Sequence, residues 1–216
     1  MSASPTLVTA EHFAYLAERT AGDDDFLRDL KAAAAEAGLP AIWISPAQAS
    51  FMAVLLRLCG AKQVVEVGTL AGYSAIAMAR ALPPDGRVAT VELDPKHADF
   101  AQEWVGRSDV AEKVTVIRGA GDEVLPHIED GSVDAVFLDA DKSGYIGYRE
   151  QAVRMLRPGG LFMADNAFAF GELFAETPQD REVGAVRAFN DHMASTPGFS
   201  GVIVPLGDGL WVATKD

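Results

Sequence analysis

Cysteine is nearly absent from this chain of 216 residues: Cys59 is the only one. A single thiol excludes an internal disulfide and a multi-cysteine metal site. Its place in the apolar run 51–59 reads as a packed thiol rather than a nucleophile. Long apolar runs are missing too. None approaches the roughly 18 consecutive apolar residues of a membrane span, so no membrane partner is expected. The opening Met1-Ser2-Ala3-Ser4-Pro5 has neither a basic flank nor an apolar stretch, so no signal peptide is read and a cytoplasmic location is expected. Basic residues are scarce: 18 Lys and Arg stand against 31 Asp and Glu, a net charge of −13. Such a surface repels phosphate backbones and counts against a general nucleic-acid binder, while leaving room for a small local basic patch. The four histidines, His12, His97, His127 and His192, are scattered without ligand spacing and read as surface or helix residues. Internal repeats, low-complexity tracts and linkers are absent as well.

What is present is an alternation of strands and helices. Length, 49% hydrophobic and 23% charged residues fit one ordinary domain over 1–216, with 1–43 as a helical N-terminal extension. Helices are predicted over 11–19 and 23–37, the second opened by Asp23-Asp24-Asp25, read as a solvated cap that suits the positive end of a helix dipole. Ser45-Pro46-Ala47-Gln48 reads as a capping box opening a helix that buries Phe51, Val54, Leu55 and Leu58. Strands follow over 64–67, 87–92, 113–118, 133–138 and 161–164, with helices over 73–79, 94–105, 122–128, 145–156 and 182–193. Pro158-Gly159-Gly160 reads as a turn, and 201–204 with 210–213 as a closing hairpin around Gly207-Asp208-Gly209. This order implies a Rossmann-like, doubly wound, mostly parallel sheet of seven strands with an antiparallel C-terminal hairpin.

The stretch Val64-Val65-Glu66-Val67-Gly68-Thr69-Leu70-Ala71-Gly72-Tyr73-Ser74 organises the rest. A buried strand, a glycine turn and a helix N-terminus form a nucleotide-cofactor site, where free backbone N–H groups face what docks. Leu70 occupies the position where a dinucleotide fingerprint needs its middle glycine, so a cofactor without a pyrophosphate fits better. Glu92 follows Gly68 by 24 residues, near the offset of about 20 at which such folds place an acid on ribose hydroxyls. The competing role for Glu92 is a capping or surface acid.

Ligands of doubly wound sheets sit beyond the carboxyl ends of the strands. Glu92, Asp139-Ala140-Asp141-Lys142 and Asp165-Asn166 all fall there. Asp139, Asp165 and Asn166 offer only oxygen donors, a set that suits a hard divalent cation: Mg²⁺ first, with Ca²⁺ or Mn²⁺ also compatible. Without histidine or cysteine beside it, zinc is not expected. Lys142 lies three residues beyond Asp139, where a dication and partial burial would lower its pKa and make it a general base. The other reading of Lys142 is an ion pair with Asp141 or another acid.

These residues carry a resemblance. From Ser45 to Leu161 the chain is similar to the cation-dependent class I O-methyltransferases of the caffeoyl-CoA and catechol group. The matching pieces are Glu66-Val67-Gly68-Thr69 with Gly72-Tyr73-Ser74, then Glu92, Asp139-Ala140-Asp141-Lys142 and Asp165-Asn166. Arg187-Ala188-Phe189-Asn190 and Pro205-Leu206-Gly207-Asp208-Gly209-Leu210 resemble the closing segments. The resemblance implies S-adenosylmethionine as cofactor. Glu66, Gly68, Thr69, Gly72 and Ser74 would then hold its methionine end, with Ile44 touching that end through its backbone. Glu92 would hold the ribose, Ala120 would meet the adenine, and Asp141 would add a polar contact. Asp139, Asp165 and Asn166 match the metal ligands, Lys142 matches the base, and Asp139 serves metal, cofactor and catalysis.

The implied reaction is methyl transfer to a phenolic hydroxyl beside a second oxygen, in a homodimer. Ala167-Phe168-Ala169-Phe170-Gly171 departs from the family's usual Val-Leu-Trp-x-Gly type of segment, as Ala49-Ser50 does from an acidic and glycine pair. The first departure bears on the acceptor, with Phe168 and Phe170 either core or pocket wall. Within the family the alternative acceptor is 5-hydroxyuridine of tRNA, which the net charge disfavours. Outside it stand an NAD-dependent oxidoreductase, disfavoured by Leu70, and a non-catalytic cofactor-binding module, which would need neither the three oxygen ligands nor Lys142.

Overall fold

A computed structural model describes residues 8–216; the opening Met1–Pro5, read above for a leader, lies outside the described residues. Seven strands form one sheet in the order β3-β2-β1-β4-β5-β7-β6. They are β1 (Gln63–Val67), β2 (Arg87–Glu92), β3 (Val114–Arg118), β4 (Val133–Leu138), β5 (Leu156–Ala164), β6 (Phe199–Val204) and β7 (Leu210–Lys215). The first five are parallel, and β7 runs antiparallel to both β5 and β6. The predicted architecture therefore holds. Helices α1 (Ala10–Ala17), α2 (Asp25–Glu36), α3 (Pro46–Leu58), α4 (Tyr73–Ala81), α5 (Pro95–Arg107), α6 (Gly121–Val124), α7 (Tyr145–Met155) and α8 (Val183–Ser195) complete the chain. The chain runs outward from β1 through β2 to β3, then returns to place β4 on the other side of β1. A crevice opens between the carboxyl ends of β1 and β4, where ligands of such sheets bind.

Both faces of the parallel strands are covered, which is why β1 and β4 are mostly apolar, broken only by Gln63 and Glu66 in the first and Asp134 in the second. One core layer joins Leu30, Met52, Ile76 and Trp104 to the sheet; the other joins Leu125, Met155 and Phe189. None of the helices among the described residues is long and apolar enough to cross a membrane. Two local expectations change, and one helix is unexpectedly bare. The buried row of α3 is Gln48, Met52 and Leu56, four residues apart, while Val54 and Leu58 face outward. Pro158-Gly159-Gly160 lies inside β5: pairing jumps from Val133 with Leu156 to Ala135 with Leu161, so 157–160 bulge opposite Asp134. Helix α1 contains no buried residue, although Phe13, Tyr15 and Leu16 belong to it.

Candidate active site

Gly68 ends β1 at φ +96°, and a Cβ there would stand 2.0 Å from the Asp139 carbonyl oxygen. Only glycine lets the ends of β1 and β4 approach so closely. The turn then departs from expectation. Its N–H groups are not free: Thr69 N and Leu70 N donate to Glu92 Oε2 at 3.1 and 2.8 Å. Glu92 Oε1 accepts from Asp94 N at 2.9 Å. An anion would meet a carboxylate here instead of bare donors, which disfavours a pyrophosphate more strongly than Leu70 does. Glu92 is thus a buried acid that braces the turn and lines the cavity, not a surface one. Gly72, at φ +84°, packs α4 against Ala101 of α5 and does not line the cavity.

Above the strand ends lies a cavity of about 540 Å³ whose walls include Gly68, Glu92, Ala120, Asp139, Asp141 and Tyr148. A pocket of about 50 Å³ shares Gly68 and Asp139 with it and is lined by Ile44, Thr69 and Ser74 among others. The Thr69 hydroxyl turns inward to Thr90 Oγ1 at 2.5 Å, and Thr90 in turn donates to Glu66 Oε2. Glu66 is fully buried beneath this turn, and burial pushes its carboxyl up to about 8. Its Oε1 has no hydrogen-bond partner among the described residues. An orphaned buried acceptor next to Gly68 suits the ammonium end of a cofactor, since such atoms are costly when left unpaired.

Sequence reasoning missed several walls. Tyr148 donates to Asp141 Oδ1 at 2.9 Å, and its ring fills the space where Cβ atoms at Gly121 and Gly144 would stand. Pro40 and Ile42 close the opposite side. His97, read as an ordinary helix residue, lines the cavity from α5, with Nδ1 3.8 Å from Glu92 Oε1. Only the two small residues at 121 and 144 hinted at a ring, and nothing in their spacing identified Tyr148.

Asp139 and Asp165 follow the neighbouring strands β4 and β5, so the polar rim assembles as expected. Lys142 is buried, with Nζ 3.2 Å from Asp139 Oδ1 and 2.7 Å from the Tyr145 hydroxyl. Its partner is Asp139 and not Asp141. Burial and the charge of Asp139 raise the Asp165 carboxyl to about 7; burial also raises Asp139, against the pull of Lys142. Gln48 is not a capping-box residue. Ser45 accepts from Gln48 N at 3.2 Å, but the Gln48 side chain crosses to Asp165 Oδ1 at 2.7 Å. Asn166, at φ +64°, donates through Nδ2 to Asp208 Oδ2 at 3.2 Å. Asp139 Oδ2, Asp165 Oδ2 and Asn166 Oδ1 carry no hydrogen bond among the described residues. Two crowded carboxylates, followed in sequence by an amide, offer only oxygen donors and in that respect fit a hard dication.

The segment after Asn166 is strained, with Ala169 and Phe170 also at positive φ. Asp208 Oδ2 accepts from Phe170 N at 2.7 Å, Asn190 Nδ2 donates to Ala167 O at 2.9 Å, and Arg187 donates to the carbonyls of Glu172, Leu173 and Ala175. Phe168 packs on Gly209, where a Cβ would come within 2.8 Å of its ring, whereas Phe170 is exposed on the rim.

A doubly wound sheet with its cavity at the β1–β4 crossover and an acid closing β2 has the architecture of a Rossmann-like methyltransferase. Residues 17–216 match the O-methyltransferase family, and the chain belongs to it. A catechol O-methyltransferase of Niastella koreensis is 39% identical over 195 residues, covering 89% of this chain and 88% of that protein. Another from Mycobacterium tuberculosis is 37% identical over 191 residues, covering 88% and 86%. An O-methyltransferase from Bacillus cereus, solved in complex with SAH, superposes with a TM-score of 0.85 at 33% identity, covering 94% of this chain and 96% of that one.

Proposed function

We propose that this enzyme transfers the methyl group of S-adenosylmethionine to one hydroxyl of a catechol-like phenol, with a divalent cation held by Asp139, Asp165 and Asn166. The observation that carries this is the pair of crowded carboxylates, Asp139 half-buried on the wall of the cofactor-sized cavity and Asp165 buried behind it. Relatives named catechol O-methyltransferases support the acceptor class, and the SAH-bound neighbour supports the cofactor. Bound together, cofactor and cation supply an electrophilic methyl group and a positive charge that favours the ionised form of an acceptor hydroxyl.

The chain's own residues do the rest. Ile44, Glu66, Gly68, Thr69 and Ser74 surround the methionine end, and Gly72 sets the start of α4 beneath it. Glu92 takes the ribose hydroxyls, while Ala120 and Asp141 border the base. Lys142 Nζ, held by Asp139 and Tyr145, receives the acceptor proton. Fixing acceptor and donor in line supplies much of the rate. A phenol has a pKa of about 10, so an alcohol without acidic character should react poorly. The test is a panel of ortho-diphenols, monophenols and 5-hydroxyuridine tRNA with S-adenosylmethionine and Mg²⁺, with and without EDTA. Methylation confined to ortho-diphenols and abolished by EDTA is expected; full activity in EDTA would overturn the cation's role.

A further inference from the structure

The acidic triplet at 23–25 is the solvated cap its sequence suggests at Asp24 and Asp25, but not at Asp23. Asp24 does cap α2, accepting from Leu27 N at 2.9 Å, and Asp25 is exposed. The Asp23 side chain is only 12% exposed and turns inward. It accepts from the Tyr73 hydroxyl at 2.6 Å on one oxygen and from Lys31 Nζ at 2.7 Å on the other. The same Nζ lies 3.9 Å from the Tyr73 ring centroid and 5.6 Å from that of Trp43. Arg28 also donates to the Asp23 carbonyl. Tyr73 is buried, and burial pushes its hydroxyl up in pKa, which keeps it a donor.

The position of Tyr73 gives this cluster its meaning. It is the first residue of α4, directly after the glycine turn, and it lines the small pocket with Trp43 and Ile44. Those two residues sit in the segment 40–44, which α2 leads into and which walls both cavities. A carboxylate shared by an ammonium and a phenol, largely shielded from water, is a strong charge-assisted arrangement. It ties the N-terminal extension to the cofactor turn across 50 residues of sequence.

We propose that Asp23, Lys31 and Tyr73 form a clasp that positions the 40–44 wall against the glycine turn and thereby controls how long the cofactor stays bound. The proposal rests on the S-adenosylmethionine reading of the cavity. Tyr73 and Asp23 act as positioning residues, through the wall they hold and not by reacting.

The test compares Tyr73→Phe, Asp23→Asn, their combination, and Arg157→Gln, which cuts an ion pair at the opposite end of the sheet. Cofactor release is followed by stopped-flow displacement of SAH, with amide hydrogen exchange over 38–45 and the melting temperature measured alongside. Tyr73→Phe and Asp23→Asn should each speed release about tenfold, the scale of one charge-assisted hydrogen bond. The double variant should add little, because both remove one contact. Exchange over 38–45 should rise in all three. Arg157→Gln should lower the melting temperature while leaving release and exchange as in the wild type. Wild-type release in both clasp variants, or equal acceleration in Arg157→Gln, overturns the clasp. If the wild-type protein binds no SAH, the cofactor reading fails instead. The clasp then stands or falls on whether Asp23→Asn still raises exchange over 38–45.

Discussion

Asp134 and Asp165 belong to neighbouring strands at opposite ends of one sheet, and their surroundings push them in opposite directions. At the amino end, burial works against the charge of Asp134, but Arg157 at 2.7 Å and the N–H groups of Gln63 and Lys62 at 2.8 Å outweigh it. The carboxyl is held below its ordinary range. At the carboxyl end, burial and the neighbouring Asp139 raise Asp165, and the Gln48 amide, the Asn166 N–H and the charge of Lys142 only partly offset them. The first acid is satisfied by the protein and closes a bulge. The second is left with too few partners to offset its burial, which is the place the proposed cation would take. Residues whose pKa values are strongly perturbed by burial together with a like charge gather where ligands bind, and here that difference separates the structural end of the sheet from the end where the cavity opens.

The contrast breaks most sharply at Asp139. Asp139→Ala should reduce metal-dependent turnover by at least about 100-fold, the upper range for losing groups that support a metal, with SAH affinity by calorimetry nearly unchanged. Next comes the structural acid. Asp134→Ala strands Arg157 and two N–H groups, so chemical denaturation should show a loss of about 2–3 kcal/mol, with SAH binding intact. An equal loss of SAH binding would erase the distinction between the two ends.

Titration sharpens it further. Asp165 is raised from an unfolded value of about 3.9 to about 7, so the folded state favours its protonated form. In chelator, this group's stabilising contribution is complete below about pH 4 and is lost as pH rises towards 7. Asp134 is lowered, so its contribution is present above its unfolded pKa and is lost in acid. Asp165→Asn should flatten the first slope alone, and added Mg²⁺ should suppress it in the wild type. The smallest effect is expected at Glu66. Burial raises it to about 8, so it is protonated at neutral pH, and the isosteric Glu66→Gln should change stability less than either of the two aspartate variants. A large loss on thermal melting at pH 7 would show that the ionised form is the one the fold holds.

Short-range physics made much of this legible. Periodicity and glycine turns placed all seven strands, and the rim acids Glu92, Asp139 and Asp165 follow from where those strands stop. The same reasoning missed at Pro158-Gly159-Gly160, because turn chemistry alone does not show that the chain resumes pairing with β4 on both sides of a bulge. It missed at α3, where the predicted apolar face included Val54 and Leu58 but the buried row starts at a glutamine aimed at Asp165.

By itself, the sequence determined the layered α/β architecture, the crossover where the cavity opens and the all-oxygen donor set beside it. These depend on residue type and on spacing within a dozen positions. The tertiary structure alone decided that Glu92 closes the glycine turn, that Gln48 holds Asp165 and that Asp23 reaches Tyr73. Those partners meet only after separate layers pack, and a side chain's local pattern carries no record of which distant group it will find there.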